Sequence, residues 1–204
     1  MPERTAIRRL VPASLLVAAA TACTSNVGPG RDVSGATPDS SRPAPTKAAS
    51  PIGLVYAAVV HQLVEVDHGY GNAPSPYRRV YVIDGAVPHA AALPGGTGFR
   101  RVAQPFDADV KAELTRQLEG TRPVTFVRSR SQVIGGRSSR SPGEVTHGGV
   151  LVTLGPVNWI NSTTVHVGNN RWAAGKDGQW LVYTVKHRHG QWRVVGIHGA
   201  ILIS

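Results

Sequence analysis

Arginine is concentrated in one part of this 204-residue chain, and its guanidinium group is the first candidate for chemistry. Residues 120–143 contain five arginines and no acidic residue. A guanidinium presents a fixed fork of donors that matches phosphate and carboxylate groups. The stretch therefore predicts anion binding by its later arginines, which are Arg128, Arg130, Arg137 and Arg140. The alternative is a solvated loop, because serine and glycine are interspersed with these arginines.

The charge of the whole chain points to the same class of partner. Lysine and arginine outnumber aspartate and glutamate by 22 to 12, which gives a formal net charge of +10. A basic protein attracts phosphate-rich polymers, lipid head groups or nucleic acid. No stretch combines basic residues with aromatic residues for base stacking, so we do not expect nucleic acid as a partner.

Other reactive side chains form no recognisable catalytic or metal-binding motif. The sequence has no Gly-x-Ser-x-Gly nucleophile elbow, and the glycine-rich residues 94–99 lack the lysine of a phosphate-binding loop. Among eight histidines, His187 and His189 are two positions apart. His189 falls in a predicted turn, however, and no third ligand has suitable spacing. We therefore expect no metal ion and no bound cofactor.

The only cysteine, Cys23, follows a segment with the three parts of a secretory signal. Three arginines form a positive start, residues 10–20 are mostly apolar, and small residues at 20–22 precede the thiol. Counted with the small residues up to position 22, the apolar stretch is about 13 residues long, which is too short to span a bilayer, since that takes about 20. Residues 1–22 are thus predicted to be a removable signal peptide, and a lone cysteine excludes an internal disulfide.

The sequence Ala20-Thr21-Ala22-Cys23 resembles the lipobox of bacterial lipoproteins, although Ala20 stands where leucine is usual. This resemblance implies that Cys23 carries diacylglycerol on its sulfur and an N-acyl chain on its new amino terminus. The protein would then be extracytoplasmic and anchored to the cell membrane, since two or more acyl chains give stable anchoring. An ordinary secretory signal is the alternative, and the arginine pair at 8–9 leaves both the general secretory and the twin-arginine export routes open.

Residues 24–50 are predicted to be a disordered tether between the lipidated Cys23 and a folded domain. They contain no leucine, isoleucine, methionine or aromatic residue and are dominated by small residues and proline. Such a composition cannot form a core, and a flexible chain of this length spans about 30 Å. Residues 51–204 are predicted to be a single domain.

Two helices and a strand are predicted in the first part of this domain. The first helix begins at Pro51, a favoured residue for the first turn, and ends near Asp67, with Gly69 as its stop. Its apolar residues recur at helical spacing. A strand follows at 77–84, and the second helix spans 107–119 after a long loop rich in proline and glycine.

The C-terminal half changes to runs of β-branched and aromatic residues separated by turn residues, which predict a mainly antiparallel sheet. A two-residue turn at 189–190 pairs Val185 with Val194 and Tyr183 with Gly196. One face of this hairpin is then apolar and packs on a core, whereas the other face meets water. The predicted fold class is α+β, with two helices packed on a curved, mainly antiparallel sheet.

This order of elements, with a Gly-x-Trp at 190–192 before the last long strand, resembles the NTF2-like and cystatin-like α+β fold over residues 51–204. The segments GGVLVTLGP and GAILIS are also similar to uncharacterised secreted bacterial proteins, which supply no activity. NTF2-like enzymes hold Asp and His inside the cone of the sheet. The resemblance therefore implies Asp84 and His166 as the candidate acid–base pair.

Two functions are compatible with these features, and the first is favoured. The first is a membrane-anchored envelope lipoprotein whose α+β module binds a small molecule, an anionic envelope polymer, lipid head groups or another envelope protein, without catalysis. The alternative is an NTF2-like enzyme of the isomerase, dehydratase or hydrolase type. A cavity lined by converging Asp, His and Tyr would favour the enzyme, and a core filled with Leu, Val and Trp would favour the binding module.

Overall fold

The computed structural model describes residues 49–92, 104–136 and 143–204, all of which belong to the unit Thr46–Ser204. The helices are α1 (Pro51–His61), which continues as a π-helical turn (Gln62–Val66), and α2 (Ala108–Leu118). The strands are β1 (Arg79–Ile83), β2 (Val124–Val127), β3 (Ile134–Gly135), β4 (Glu144–Val145), β5 (Gly149–Asn161), β6 (Thr164–Ala174), β7 (Asp177–Arg188), β8 (Gln191–Ile197) and β9 (Leu202–Ile203). Three residues with predicted roles lie outside the described residues: Cys23, Arg137 and Arg140.

The first helix begins and ends where the sequence predicts. The Ser50 side chain accepts a hydrogen bond from Gly53 N at 3.3 Å, which satisfies one of the free N–H groups of the first turn. Past the π-helical turn, Gly69 has a φ of +85°, a value that only glycine adopts readily. Apolar residues occur all round α1 because it is enclosed between the sheet and α2.

The second helix is amphipathic and lies against α1. Val110, Leu114 and Leu118 are buried on one stripe. The two helices approach closely at Gly53, where a Cβ atom would lie only 2.7 Å from Glu113 Cβ. Within the described residues, neither helix has the length and apolar character needed to cross a bilayer.

The sheet combines a parallel part with an antiparallel part. β1 lies between β2 and β5 and is parallel to both. The β1–β2 pair is parallel because α2 lies in the connection between these strands and carries the chain back to the end of the sheet at which β1 began. From β5 to β8 the strands form an antiparallel meander. The predicted α+β class with two helices on a curved, mainly antiparallel sheet is confirmed, whereas the parallel pairs of β1 were not predicted.

The main core lies between α1 and one face of the meander. Its sheet side includes Val165, Val167, Tyr183 and Val185, all fully buried. A smaller apolar cluster that includes Trp172 and Trp180 lies apart from this core. The main core is therefore filled with aliphatic and aromatic side chains.

The β7–β8 hairpin follows its predicted register only near the turn. Arg188 pairs with Gln191 and Val185 pairs with Val194, as expected. The predicted pairing of Tyr183 with Gly196 is wrong, because the register shifts beyond Val185 and Tyr183 pairs with Ile197. The extra residue on β8 forms a bulge, which increases the local twist of an edge strand.

Candidate functional site

A groove lies between α1, the end of α2 and the start of β8, and we call it the α1–β8 groove. Its volume is about 510 Å³. The apolar lining comes from both sides, with Leu54, Ala57 and Ala58 on α1 and Trp192 and Val194 on β8. Its polar lining residues are His61, Gln62, Gln117, Gln191 and Arg193. A concave surface with an apolar base and a few polar groups is the usual form of a small-molecule site.

Arg193 is the permanently charged residue of this groove, and the lining includes no carboxylate. Its Nε and Nη2 atoms donate to Gln191 Oε1 at 3.2 and 2.6 Å. Arg193 forms no ion pair with another described residue. A guanidinium has five N–H donors, so donors remain for an anion beside those that bond Gln191. Because side chains alternate along β8, Gln191 and Arg193 lie on the face opposite Trp192 and Val194, and Arg193 meets the groove at its rim.

The turn and the rings beside the groove fix its β8 side. His189 and Gly190 have φ values of +50° and +76°, as a tight two-residue hairpin turn requires. The Trp192 ring lies 5.6 Å from that of Trp159 and 5.1 Å from that of His187, measured between centroids. Trp159 is 49% exposed, so the apolar surface extends beyond the groove along the sheet.

Gln62 connects the groove to a carboxylate at the end of the first helix. In the π-helical turn, Asp67 N donates to Gln62 O at 2.7 Å, which brings the two side chains together. Gln62 Nε2 donates to Asp67 Oδ2 at 3.1 Å, and the Tyr183 hydroxyl donates to the same oxygen at 2.6 Å. Burial, followed by the hydrogen bond to Asp67, raises the pKa of Tyr183. The Tyr183 hydroxyl therefore keeps its proton and acts as a donor.

A second group of polar side chains, the Arg171 cluster, consists of Arg171, Asp177, Tyr77, Tyr70 and Gln179. Arg171 is 4% exposed, and its Nη1 atom donates to Asp177 Oδ1 at 2.5 Å and to the Tyr77 hydroxyl at 2.6 Å. Its Nε atom donates to Gln179 Oε1 at 3.1 Å. Both tyrosine hydroxyls donate to Asp177 Oδ2 at 3.0 Å. A buried arginine requires such partners because an unpaired buried charge is costly.

The chain that follows the first helix is fitted closely to this cluster. Arg171 Nε also donates to Asp67 O at 3.3 Å. A Cβ atom at Gly69 would lie 2.8 Å from Arg171 Nη2. Burial raises the pKa of Tyr77 and of Tyr70, so both hydroxyls stay protonated and donate to Asp177. The donors and acceptors of the cluster are thus largely used on one another.

The structure does not bring the candidate pair Asp84 and His166 together. Asp84 accepts hydrogen bonds from Phe106 N and from Lys111 Nζ, each at 3.1 Å. His166 stacks on His198, with ring centroids 4.2 Å apart. Val82 pairs with Val152 of β5, whereas His166 pairs with Asn158. Asp84, two residues beyond Val82 in this parallel pair, is level with Leu154, so about four residues of β5, or about 13 Å, separate the two registers along the strands.

Two of the four predicted anion-binding arginines can be placed, and they differ. Arg128 follows β2 and is exposed; its backbone N–H donates to Gln132 Oε1 at 2.7 Å. The Arg130 guanidinium lies over the Trp172 ring, 5.0 Å from the centroid. Arg128 is therefore available to an anion, whereas Arg130 is committed to packing on a tryptophan.

Comparison of the chain with protein-family models, with curated proteins and with solved structures finds no match. Within the described residues, no group of three or more His, Cys, Asp or Glu side chains is placed to hold a metal ion. The function must therefore be inferred from the geometry of the chain itself.

Neither the α1–β8 groove nor the Arg171 cluster was predicted from the sequence. For Arg171 a signal existed, because strict alternation along β6 places it on the same face as the buried Val165 and Val167. A charge on a core-facing position predicts a buried partner. For the groove no such signal existed, since it joins residues more than a hundred positions apart.

Proposed function

We propose that the protein is a lipid-anchored, extracytoplasmic binding module of NTF2-like architecture. Diacylglycerol on Cys23 holds it at the membrane, and a tether connects the anchor to the folded domain. The order of helices and strands, with a helix on a curved antiparallel meander, supports the NTF2-like assignment. The resemblance of residues 20–23 to a lipobox supports the anchor.

The α1–β8 groove is the ligand site in this proposal. The observation that carries it is the pairing of an apolar base, centred on Trp192, with an oriented Arg193 and no carboxylate in the lining. Such a lining selects a ligand with an apolar body and an anionic group, because the guanidinium provides charge-assisted hydrogen bonds. Small amphiphilic acids have this chemistry.

Catalysis is not part of this proposal, because the acidic and phenolic groups nearest the groove are used in structure. Asp67 Oδ2 already accepts two hydrogen bonds. The raised pKa of Tyr183 keeps that hydroxyl protonated, whereas a general base must accept a proton near neutral pH. The core between α1 and the sheet is packed with apolar side chains.

Binding of 1-anilinonaphthalene-8-sulfonate, which has an aromatic body and one sulfonate, tests the groove. We expect Arg193→Gln to raise its dissociation constant about ten-fold, and Ala58→Phe, which fills the groove, to abolish binding. Arg188→Gln is the matched control, since Arg188 lies on the same hairpin outside the lining. Equal binding by all variants would place the dye elsewhere and refute the groove as the site.

The anchor is tested separately in the native cell. Cys23→Ser removes the thiol that would carry diacylglycerol, so we expect the protein to leave the membrane fraction and to lose acyl label. Mass spectrometry of the N-terminal peptide of the unmodified protein should find an acylated Cys23. An unacylated Cys23, or membrane retention of the serine variant, would contradict the anchor without affecting the groove.

One observation favours the enzyme alternative. Gln62 joins the groove to Asp67 and Tyr183, which places a carboxylate one side chain away from a bound ligand. In the binding module, Asp67→Asn alters stability and leaves affinity for the dye within about two-fold. Turnover of a small acid or ketone that is lost in Asp67→Asn would instead establish the enzyme.

A further inference from the structure

Within the described residues, strand β2 forms one edge of the sheet and pairs only with β1. Val80 N donates to Pro123 O, and Asp84 N donates to Val127 O. In a parallel ladder the backbone N–H and C=O groups of every second residue point to the same side of the strand. The backbone N–H and C=O groups of Val124 and Phe126 therefore point outward, away from β1.

A second groove, the α2–β2 groove, runs beside these outward groups. Its volume is about 780 Å³. Val124, Phe126 and Pro123 provide apolar lining from the strand, and Ala112 does so from the helix. Lys111 Nζ lies over the Phe126 ring, 5.9 Å from the centroid. An edge strand beside a helix-walled apolar groove can accept an added strand, whose backbone pairs with the edge while its alternate side chains enter the groove.

The charges of this groove are arranged with their positive ends outward. Three ion pairs lie here, and in each of them the cation is more exposed than the carboxylate. The side-chain exposures are 32% for Lys111 and 16% for Asp84, and 60% for Arg116 and 8% for Glu113. For Arg122 and Glu65 they are 26% and 18%. The cations line the groove and their carboxylates do not. Glu119 is the acidic residue of the lining, and the exposed Arg128 follows the end of β2.

We infer that the edge of β2 binds an extended, acidic polypeptide segment of a partner protein as an additional strand. Val124 and Phe126 supply the backbone hydrogen bonds, and the α2–β2 groove accepts apolar side chains. Arg128, with the outward cations of the three ion pairs, attracts acidic side chains on the groove side of the added strand. A phosphate polymer would satisfy the cations, but it has no amides to pair with the strand. This surface is separate from the α1–β8 groove, so the inference does not depend on a small-molecule ligand.

The test uses the whole chain and a fluorescein-labelled peptide of about eight residues, with fluorescence anisotropy as the readout. Every second residue, which would face the groove, is valine or glutamate in turn, and threonine occupies the positions between them. Val124→Pro removes an outward N–H without removing a bond to β1, so we expect its dissociation constant to rise about ten-fold. Val124→Thr keeps that N–H and should bind within about two-fold of the unmodified chain. Circular dichroism confirms that both variants are folded.

Charge selection is tested with the same probe. Arg128→Glu should weaken binding at low salt by about five-fold, with a smaller effect at high salt, whereas Arg188→Glu on the distant hairpin should not. The same peptide with lysine in place of glutamate should bind at least about ten-fold more weakly than the glutamate peptide.

Four results would overturn the inference. The first is no binding of the glutamate peptide up to about 1 mM, and the second is equal binding by Val124→Pro and the unmodified chain. The third is a dimer in analytical ultracentrifugation that Val124→Pro dissociates, because a second copy of the chain would then occupy the edge. Displacement of the peptide by polyphosphate with no effect of Val124→Pro would indicate a general anion surface and would also refute strand addition.

Discussion

Arg171 and Arg193 lie two strands apart on the same sheet and have opposite environments. Arg171 is buried on β6 and bonded to an aspartate, a tyrosine and a glutamine. Arg193 is exposed on β8 and bonded to the neutral Gln191. A guanidinium that is buried must be neutralised inside the protein, whereas one held by a neutral partner at the surface keeps its charge for a ligand.

The position of each strand in the sheet explains why Arg171 is buried and Arg193 is exposed. β6 has neighbours on both sides, β5 and β7, so a residue on its core face is enclosed by the sheet and by the chain that leaves α1. β8 pairs only with β7 within the described residues, and its side chains remain accessible. The same residue type therefore stabilises the fold at one position and offers a binding group at the other.

The largest expected effect is that of Arg171→Met on stability. The substitution leaves Asp177, Tyr77 and Gln179 without their shared donor, and breaking a buried pair costs about 3 kcal/mol. Chemical denaturation should detect this loss in the free energy of unfolding, while affinity for the anilinonaphthalene dye stays within about two-fold. Arg188→Met, an exposed control, should change stability by less than about 0.5 kcal/mol. A loss below about 1 kcal/mol for Arg171→Met would remove the distinction between the two arginines.

A smaller effect is expected for Gly69→Ala, which tests how closely the chain is fitted to Arg171. The φ of +85° and the 2.8 Å approach to Arg171 Nη2 both oppose a Cβ atom, and we expect a loss of about 2 kcal/mol. In the Arg171→Met background the contact is absent, so the loss should fall to about 1 kcal/mol. Equal losses in both backgrounds would show that only backbone strain matters at this position.

The sequence was sufficient to predict the two helices and the β7–β8 turn because the signals for these elements are local. Pro51 and Gly69 mark the limits of the first helix as predicted, and Gly120, with a φ of +82°, follows α2. The β7–β8 turn was also predictable, since His189 and Gly190 tolerate positive φ. The register beyond Val185 was not, because a bulge depends on how the whole strand twists and adds one residue without a turn residue to mark it.

The candidate site could not be predicted because it depends on which strands become neighbours. Asp84 and His166 were paired on the basis of a fold resemblance, but β5 lies between their strands and their registers are about four residues apart. Arg171 meets Asp177 across a tight β6–β7 turn and meets Tyr77 only after the sheet has formed. The lipid anchor at Cys23 stays a prediction, since it lies outside the described residues.

The smallest expected effect concerns His166, which lies on β6 like Arg171 but has another imidazole as its neighbour. Burial, together with the charge of His198, lowers the pKa of His166. In the unfolded chain a histidine has a pKa of about 6.5, so the unfolded state binds more protons below that pH. Stability is therefore retained above about pH 6.5 and decreases as the pH falls through the folded-state pKa.

His166→Asn removes this titration, and the difference in the free energy of unfolding between about pH 5 and about pH 7.5 should become smaller. His189→Asn is the matched control, because it replaces an exposed histidine of the turn with a residue that also tolerates a φ of +50°. An unchanged pH dependence in His166→Asn would mean that the stacked pair does not disfavour protonation. In that case, Arg171 alone of these two β6 residues would have a charge that depends on its neighbour, because Asp177 compensates the charge of Arg171.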